Sequence, residues 1–257
     1  MCLEEEAYRV EEKRPRFVDI HTHILPGVDD GAEDMEQAIG LLQAAWEDGT
    51  GAVVLTPHYR GRYRHNTVNR LTPVFEALQR EVKKLLPGME LYLGNEVGYE
   101  LDVTEKLADG TLLTLNGSQY VLLEFRGNCF RSRVLDGVLE VLNFGFVPVI
   151  AHVERYDIFL KSKSLADEVL DLGALLQVNA DSVMGKRGFA AKRFCHRLLK
   201  GHKVHFVATD THDSQLRPPL LKECYDRIQK KYGAEYAAAL FYKNAREVLT
   251  GGVEIEC

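Results

Sequence analysis

Seven short apolar runs recur along the chain, separated by longer amphipathic stretches. The runs are FVDI (17–20), AVVL (52–55), ELYL (90–93), YVLLE (120–124), VPVI (147–150), ALLQV (174–178) and VHFVA (204–208). Between them, 33–48, 69–86, 133–144 and 164–172 carry apolar residues at helical spacing, and Gly49, Gly145, Gly173 and Gly201 stand where helices would stop. Continuous apolar strands alternating with helices predict a parallel sheet covered by helices. Seven such units predict an α/β fold, a closed or nearly closed barrel rather than two small domains. No linker-like or low-complexity stretch interrupts them, so 16–257 reads as one domain. Residues 1–15, charged and closed by Pro15, read as a flexible N-terminal extension.

Composition narrows the class. The 257 residues suffice for one full core, and 46% hydrophobic with 27% charged residues is ordinary for a soluble protein. A net charge of -6 offers no general attraction to nucleic acid or anionic membrane. No apolar stretch approaches the roughly 20 residues of a membrane span. The acidic N-terminus lacks the apolar segment of a secretory signal, so a cytoplasmic protein is expected. The five cysteines are odd in number, scattered and never spaced C-x-x-C, which argues against a disulfide framework or thiolate zinc site.

Chemistry concentrates at the tails of the runs. Run one ends in DIHTH, with His21 and His23, and is followed by Asp29 and Asp30. Run two ends in LTPHY (His58), run three in LGNEV (Glu96) and run four in LLEF (Glu124). Run five ends in IAHVER (His152, Glu154, Arg155), and run seven in ATDTHD (Asp210, His212, Asp213). Run six, QVNAD, offers only Asn179 and Asp181. In a parallel barrel the C-terminal strand ends converge on one face, so these residues would share a pocket.

Each fragment alone has a structural explanation: a His pair on one strand face, a Glu in an ion pair, an Asp capping the next helix. Repetition at six of seven strand ends favours a site. Imidazole and carboxylate donors without thiolate suit zinc, manganese or iron. Eight or nine ligands exceed one ion's needs and imply a cluster, an arrangement suited to in-line phosphoryl displacement. No cysteine opens a C-x5-R phosphate loop; Gly201 and Lys230 occupy the sixth positions after Cys195 and Cys224.

The segments DIHTHILPGVDDGAED, TPHYRGRY, LGNEV, YVLLEF, IAHVERY, LLQVNADS and ATDTHDSQLRPP together resemble the PHP (polymerase and histidinol phosphatase) superfamily. More narrowly, they resemble the manganese-dependent protein-tyrosine phosphatases of bacterial capsule and exopolysaccharide loci. That resemblance implies a distorted seven-stranded (β/α) TIM-like barrel with three divalent ions, manganese first and iron or zinc as alternatives. It implies that His21, His23, Glu96 and Asp210 hold one ion, and that Glu96 bridges to a second held by Glu124 and His152. Asp30, His58 and His212 would hold the third, with Asp29 a bystander. Arg155 and Arg217 would grip the substrate phosphate, and a metal-activated water would hydrolyse phosphotyrosine on a partner protein, a bacterial tyrosine kinase. Asp30, Glu154, Asp213 and water stand as candidate general acids. The alternatives are another phosphoesterase, such as histidinol-phosphate phosphatase, or a non-catalytic metal-binding regulator. The basic segment HYRGRYRHN (58–66) is either a pocket wall attracting acidic phosphopeptides or a solvated loop. His202 and His205 precede or begin the last strand, so a structural role is expected for them.

Overall fold

The computed structural model describes residues 16–256; the extension expected over 1–15 lies outside the described residues. Among the described residues there are nine parallel strand segments: β1 Phe17–Thr22, β2 Thr50–Leu55, β3 His58–Tyr59, β4 Glu90–Leu93, β5 Glu96–Gly98, β6 Tyr120–Glu124, β7 Val147–Ile150, β8 Leu175–Asn179 and β9 Phe206–Ala208. They form two sheets, β1-β2-β4 and β3-β5-β6-β7-β8-β9. The sheets curl until first and last strands meet, through a parallel bridge between Thr22 and Thr211 and bonds from Asp210 N to His21 O and His23 N to Thr211 O.

Two expected runs continue as short second strands. Thr56-Pro57 separates β2 from β3, and Gly94-Asn95 separates β4 from β5. Proline has no N–H for the ladder, so the chain kinks there. Glu96 N instead shares the carbonyls of Thr56 and Pro57, at 3.3 and 3.2 Å. The kinks set His58 and Glu96 at the start of fresh strand segments.

The predicted helices are found within two residues of their expected ends, at Met35–Asp48, Val68–Leu85, Arg131–Asn143 and Leu165–Asp171. Asp34 caps the first by accepting the Gln37 N–H, and Gly49 ends it at φ 110°, the left-handed conformation glycine adopts freely. No helix among the described residues is long and apolar enough to cross a membrane.

Strand parity carries the apolar interior up to the site. Val18, Ile20, Ala52, Val54, Tyr120, Leu122, Val149, Ala151, Phe206 and Ala208 form one buried cluster, closed by Ala245, Val248 and Leu249 of a C-terminal helix. Two residues beyond Leu122 on the same face comes Glu124, whereas Asp210 lies past the end of β9 at φ 54°, outside the strand conformation. On β1 parity alone would turn His21 away from Ile20's side. There the pairing with β2 shifts register between Asp19 and Thr22, and a bulge of this kind re-aims a side chain.

Candidate metal centre

His21, His23, Asp30, His58, Glu96, Glu124, His152, Asp210 and His212 lie in one contiguous cluster at the C-terminal strand ends. All are buried except Asp30, whose side chain is 40% exposed. His21 Nε2 is 3.4 Å from Glu96 Oε1 and 3.5 Å from Asp210 Oδ1, and His23 Nε2 is 3.3 and 3.4 Å from the same two carboxylates. His152 Nε2 meets Glu96 Oε1 at 2.8 Å and Glu124 Oε1 at 3.7 Å. Asp30 Oδ1 sits between His58 Nε2 (3.3 Å) and His212 Nε2 (3.7 Å). Glu96 touches four of the five imidazoles, since His58 Nδ1 is 2.6 Å from its other oxygen.

The backbone is strained where it delivers two of these groups. His152 and Asp210 have φ of 34° and 54°, two of four non-glycine residues in the left-handed region among the described residues. Such strain persists only where surrounding contacts over-determine it, and it concentrates at functional sites.

Three residues support the cluster in ways the linear pattern did not assign: Asp29, Gln177 and Asn179. Asp29, expected to be a bystander, accepts from His23 Nδ1 at 2.7 Å, from His58 N at 3.0 Å and from Gly31 N at 3.0 Å. It fixes the orientation of the loop and of His23. From β8, Gln177 and Asn179 project together into the site, and the Asp210 carboxylate sets the order of their bonds. Asp210 Oδ2 can only accept, so Asn179 presents Nδ2 to it (3.0 Å). Asn179 Oδ1 therefore faces Gln177 Nε2 (2.8 Å), leaving Gln177 Oε1 for His152 N–H (2.8 Å) and His21 Nδ1 (3.1 Å). The relay puts a proton on His21 Nδ1 and aims Nε2 at the carboxylates. Only the alternation of Gln177 and Asn179 on one strand face hinted at it.

Charge inside the cluster is unevenly shared. Burial opposes charging His21, but Glu96 and Asp210 outweigh it and lift its pKa to about 9. Burial likewise opposes charging His58, yet Glu96 and Asp30 lift it to about 11. Against burial, His21 and His58 hold Glu96, and His21 and His23 hold Asp210, well below the ordinary carboxylate range. Glu124, buried and beside Glu96, rises to about 7, while burial presses His152 and His212 down to about 4. Protons on His21 and His58 thus balance carboxylates that a cation would otherwise neutralise.

Ligand-capable atoms lying within 4.8 Å of one another form three overlapping groups: His23, Asp30, His58 and His212; His21, His23 and Glu96; His58, Glu96 and Glu124. His212 Nε2 is buried with no hydrogen-bond partner, though it points at Asp30. A buried lone pair facing a carboxylate at 3.7 Å, amid an all-N/O donor set, fits a first-row divalent ion between them.

The two arginines stand at the edge of the cluster. Arg155 Nη1 donates to Asp210 Oδ2 at 2.6 Å, and Arg217 Nη1 lies 3.7 Å from the same oxygen. Asp213 folds the Arg217 loop, its Oδ1 accepting the N–H groups of Gln215, Leu216 and Arg217. Glu154 is buried behind the cluster, where its Oε1 accepts Asn179 N–H. Cys129, Cys195 and Cys224 are free thiols, and burial pushes each pKa upward, the opposite of an activated nucleophile.

Parallel strands that deliver His and carboxylate groups to one end define the class: a TIM-type α/β protein with a candidate multi-ion centre. The chain belongs to the CpsB/CapC family of capsular polysaccharide synthesis, which it matches over residues 17–250. It is 33% identical over 238 residues to the tyrosine-protein phosphatase CpsB of Streptococcus pneumoniae, covering 91% of this chain and 98% of that protein. To the tyrosine-protein phosphatase YwqE of Bacillus subtilis strain 168 it is 31% identical over 220 residues, 85% and 86% of the two chains. It superposes with TM-score 0.88 and 29% identity on a chain from the crystal structures of YwqE and CpsB, described as unique metal-dependent tyrosine phosphatases. That match covers 93% of this chain and 97% of the other. A phosphotriesterase homology protein from Escherichia coli shares the fold, at TM-score 0.60 and 13% identity over 91% and 99% of the chains.

Proposed function

We propose that this chain is a metal-dependent protein-tyrosine phosphatase of capsule or exopolysaccharide synthesis. It would act in the cytoplasm on a tyrosine-phosphorylated protein, a bacterial tyrosine kinase. The observation that carries this reading is the convergence of five imidazoles and four carboxylates beside two arginines at one open end of the strands. Counting each interrupted strand once, β2 with β3 and β4 with β5, supports a seven-stranded PHP-type barrel.

His21, His23, Glu96 and Asp210 would hold one divalent ion, Glu124 and His152 a second shared through Glu96, and Asp30, His58 and His212 a third. Overlap of the three atom groups at His23, His58 and Glu96 supports a shared cluster. Manganese is the first candidate. Bound ions would supply an activated water and neutralise charge on the phosphoryl oxygens. Arg155 and Arg217 orient the phosphate, their remaining N–H groups forming the planar fork that phosphate oxygens accept. Asp210 holds Arg155 in place, and Asp213 shapes the loop bearing Arg217. A phenol leaving group, with a pKa of about 10, needs less help from a general acid than an alkyl alcohol.

The test is phosphate release by protein purified without added metal, stripped with chelator and re-supplied with Mn²⁺, Fe²⁺ or Zn²⁺. Phosphotyrosine peptides should be turned over and histidinol phosphate should not. Preference for histidinol phosphate, or stoichiometric metal without turnover, would overturn the assignment.

A further inference from the structure

Beyond Glu124 the surface opens into a continuous groove. A cavity of about 150 Å³ bounded by Arg60 and Glu124 runs into one of about 460 Å³ bounded by Phe130 and Arg133. The two share Tyr99, Phe125 and Arg126 as walls. The groove therefore starts at a candidate metal ligand and leads away from it along the segment that follows β6.

Its charge differs from that of the neighbouring basic loop. In that loop Arg60 pairs with Glu124 at 2.9 Å, and Arg64 pairs with Glu100 and Asp102, so most of the local charge is already balanced. Arg126 is exposed and, among the described residues, has no carboxylate partner. Arg133 likewise has none and instead stacks over the Tyr99 ring, 4.2 Å from its centroid. The Glu100 carboxylate in the wall is taken up by Arg64. Two guanidinium groups without an ion-pair partner among the described residues thus line a groove on a protein whose net charge is -6, the nearby Glu140 carboxylate being bonded to the Tyr99 hydroxyl. Phe130, 80% exposed, stands at the outer end.

We propose that this groove binds the acidic stretch of substrate adjoining the phosphotyrosine, with Arg126 and Arg133 reading its carboxylates and Phe130 packing on its outer end. The inference rests on the phosphatase reading and adds the substrate's flanking chemistry to it. Small aryl phosphates fill the phosphate site without extending into the groove, so they serve as the internal reference.

The experiment compares Mn²⁺-supplied wild type with R126E/R133E on three substrates: p-nitrophenyl phosphate, a phosphotyrosine peptide flanked by Asp and Glu, and one flanked by Lys. Reversing both charges removes two attractive contacts and adds two repulsive ones, so kcat/KM on the acidic peptide should fall about tenfold. That loss should fall in KM, shrink with added salt and be absent with p-nitrophenyl phosphate. Equal wild-type preference for the two peptides, or an equal loss on all three substrates, overturns the proposal. Failure of wild type to hydrolyse any of the three refutes the phosphatase reading instead. Fluorescence anisotropy of the labelled acidic peptide then decides the groove, and equal affinity for both proteins overturns it.

Discussion

Replacing Gln177 by leucine perturbs the centre without removing any group proposed to hold metal or phosphate, because Gln177 is none of the candidate ligands. The side chain is fully buried, and the substitution nearly conserves its volume while removing both polar ends. Three partners are orphaned at once: the His21 Nδ1–H, the His152 backbone N–H and the Asn179 Oδ1. A buried polar group left unpaired costs about 1–3 kcal/mol, so even the lower figure gives about 3 kcal/mol of lost stability. In a chain of this size that lowers Tm by roughly 6–12 °C. His21 would also lose the bond that fixes its tautomer, and loss of such a supporting bond weakens metal binding about 10–100-fold. Thermal unfolding of the metal-free protein reads the first effect, and calorimetric titration with Mn²⁺ reads the second. A Q177L protein melting within about 2 °C of wild type and binding Mn²⁺ within twofold would show that the relay does not orient the site.

Other outcomes follow from the same geometry. Chelation should abolish phosphotyrosine turnover, whereas a variant lacking all cysteines should retain it; the reverse pattern in a phosphate-release assay would restore a thiol mechanism. R155K should keep its metal content by elemental analysis but lose about 10–100-fold in kcat, because an ammonium cannot reproduce the planar fork. Gly31 lies against His23, where an added Cβ would sit 1.8 Å from the His23 carbonyl oxygen, so G31A should destabilise by at least about 1–3 kcal/mol in urea titrations and loosen the ligand loop. His205 accepts the Leu176 N–H at Nδ1, and burial lowers its pKa from 6.5 to about 4. The unfolded chain binds that proton first, so the contribution is complete above pH of about 6.5 and lost as pH falls toward 4. The loss amounts to about 3 kcal/mol, and in H205N, which keeps an acceptor but cannot titrate, the fall in urea stability between pH 7 and 4.5 should shrink accordingly.

Strand and helix periodicity was legible because the helical stretches are amphipathic and the strands are buried on both faces, which leaves a continuous apolar signature. Candidate ligands were legible for a related reason. Each follows an apolar run, and parallel strands place their C-terminal ends together whatever the intervening loops do. The breaks at Thr56-Pro57 and Gly94-Asn95 were not anticipated, since a run's hydrophobicity does not reveal where its ladder fails. The helix ends differed by up to two residues because capping, as at Asp34, rather than apolar spacing sets them.

What the chain's order of residues determined was therefore the alternation of strands and helices and the chemical inventory at the strand ends. Tertiary structure decided which atoms face one another. It turned His21 inward through a bulge, made Asp29 the partner of His23 and joined Asp210 to His21 through Asn179 and Gln177. It also left Arg126 and Arg133 without a carboxylate partner among the described residues, while pairing Arg60 and Arg64 of the basic loop with Glu124, Glu100 and Asp102. Hydrogen-bond direction and charge pairing depend on distances of a few ångströms between residues as many as 190 positions apart, and linear spacing carries no record of those distances.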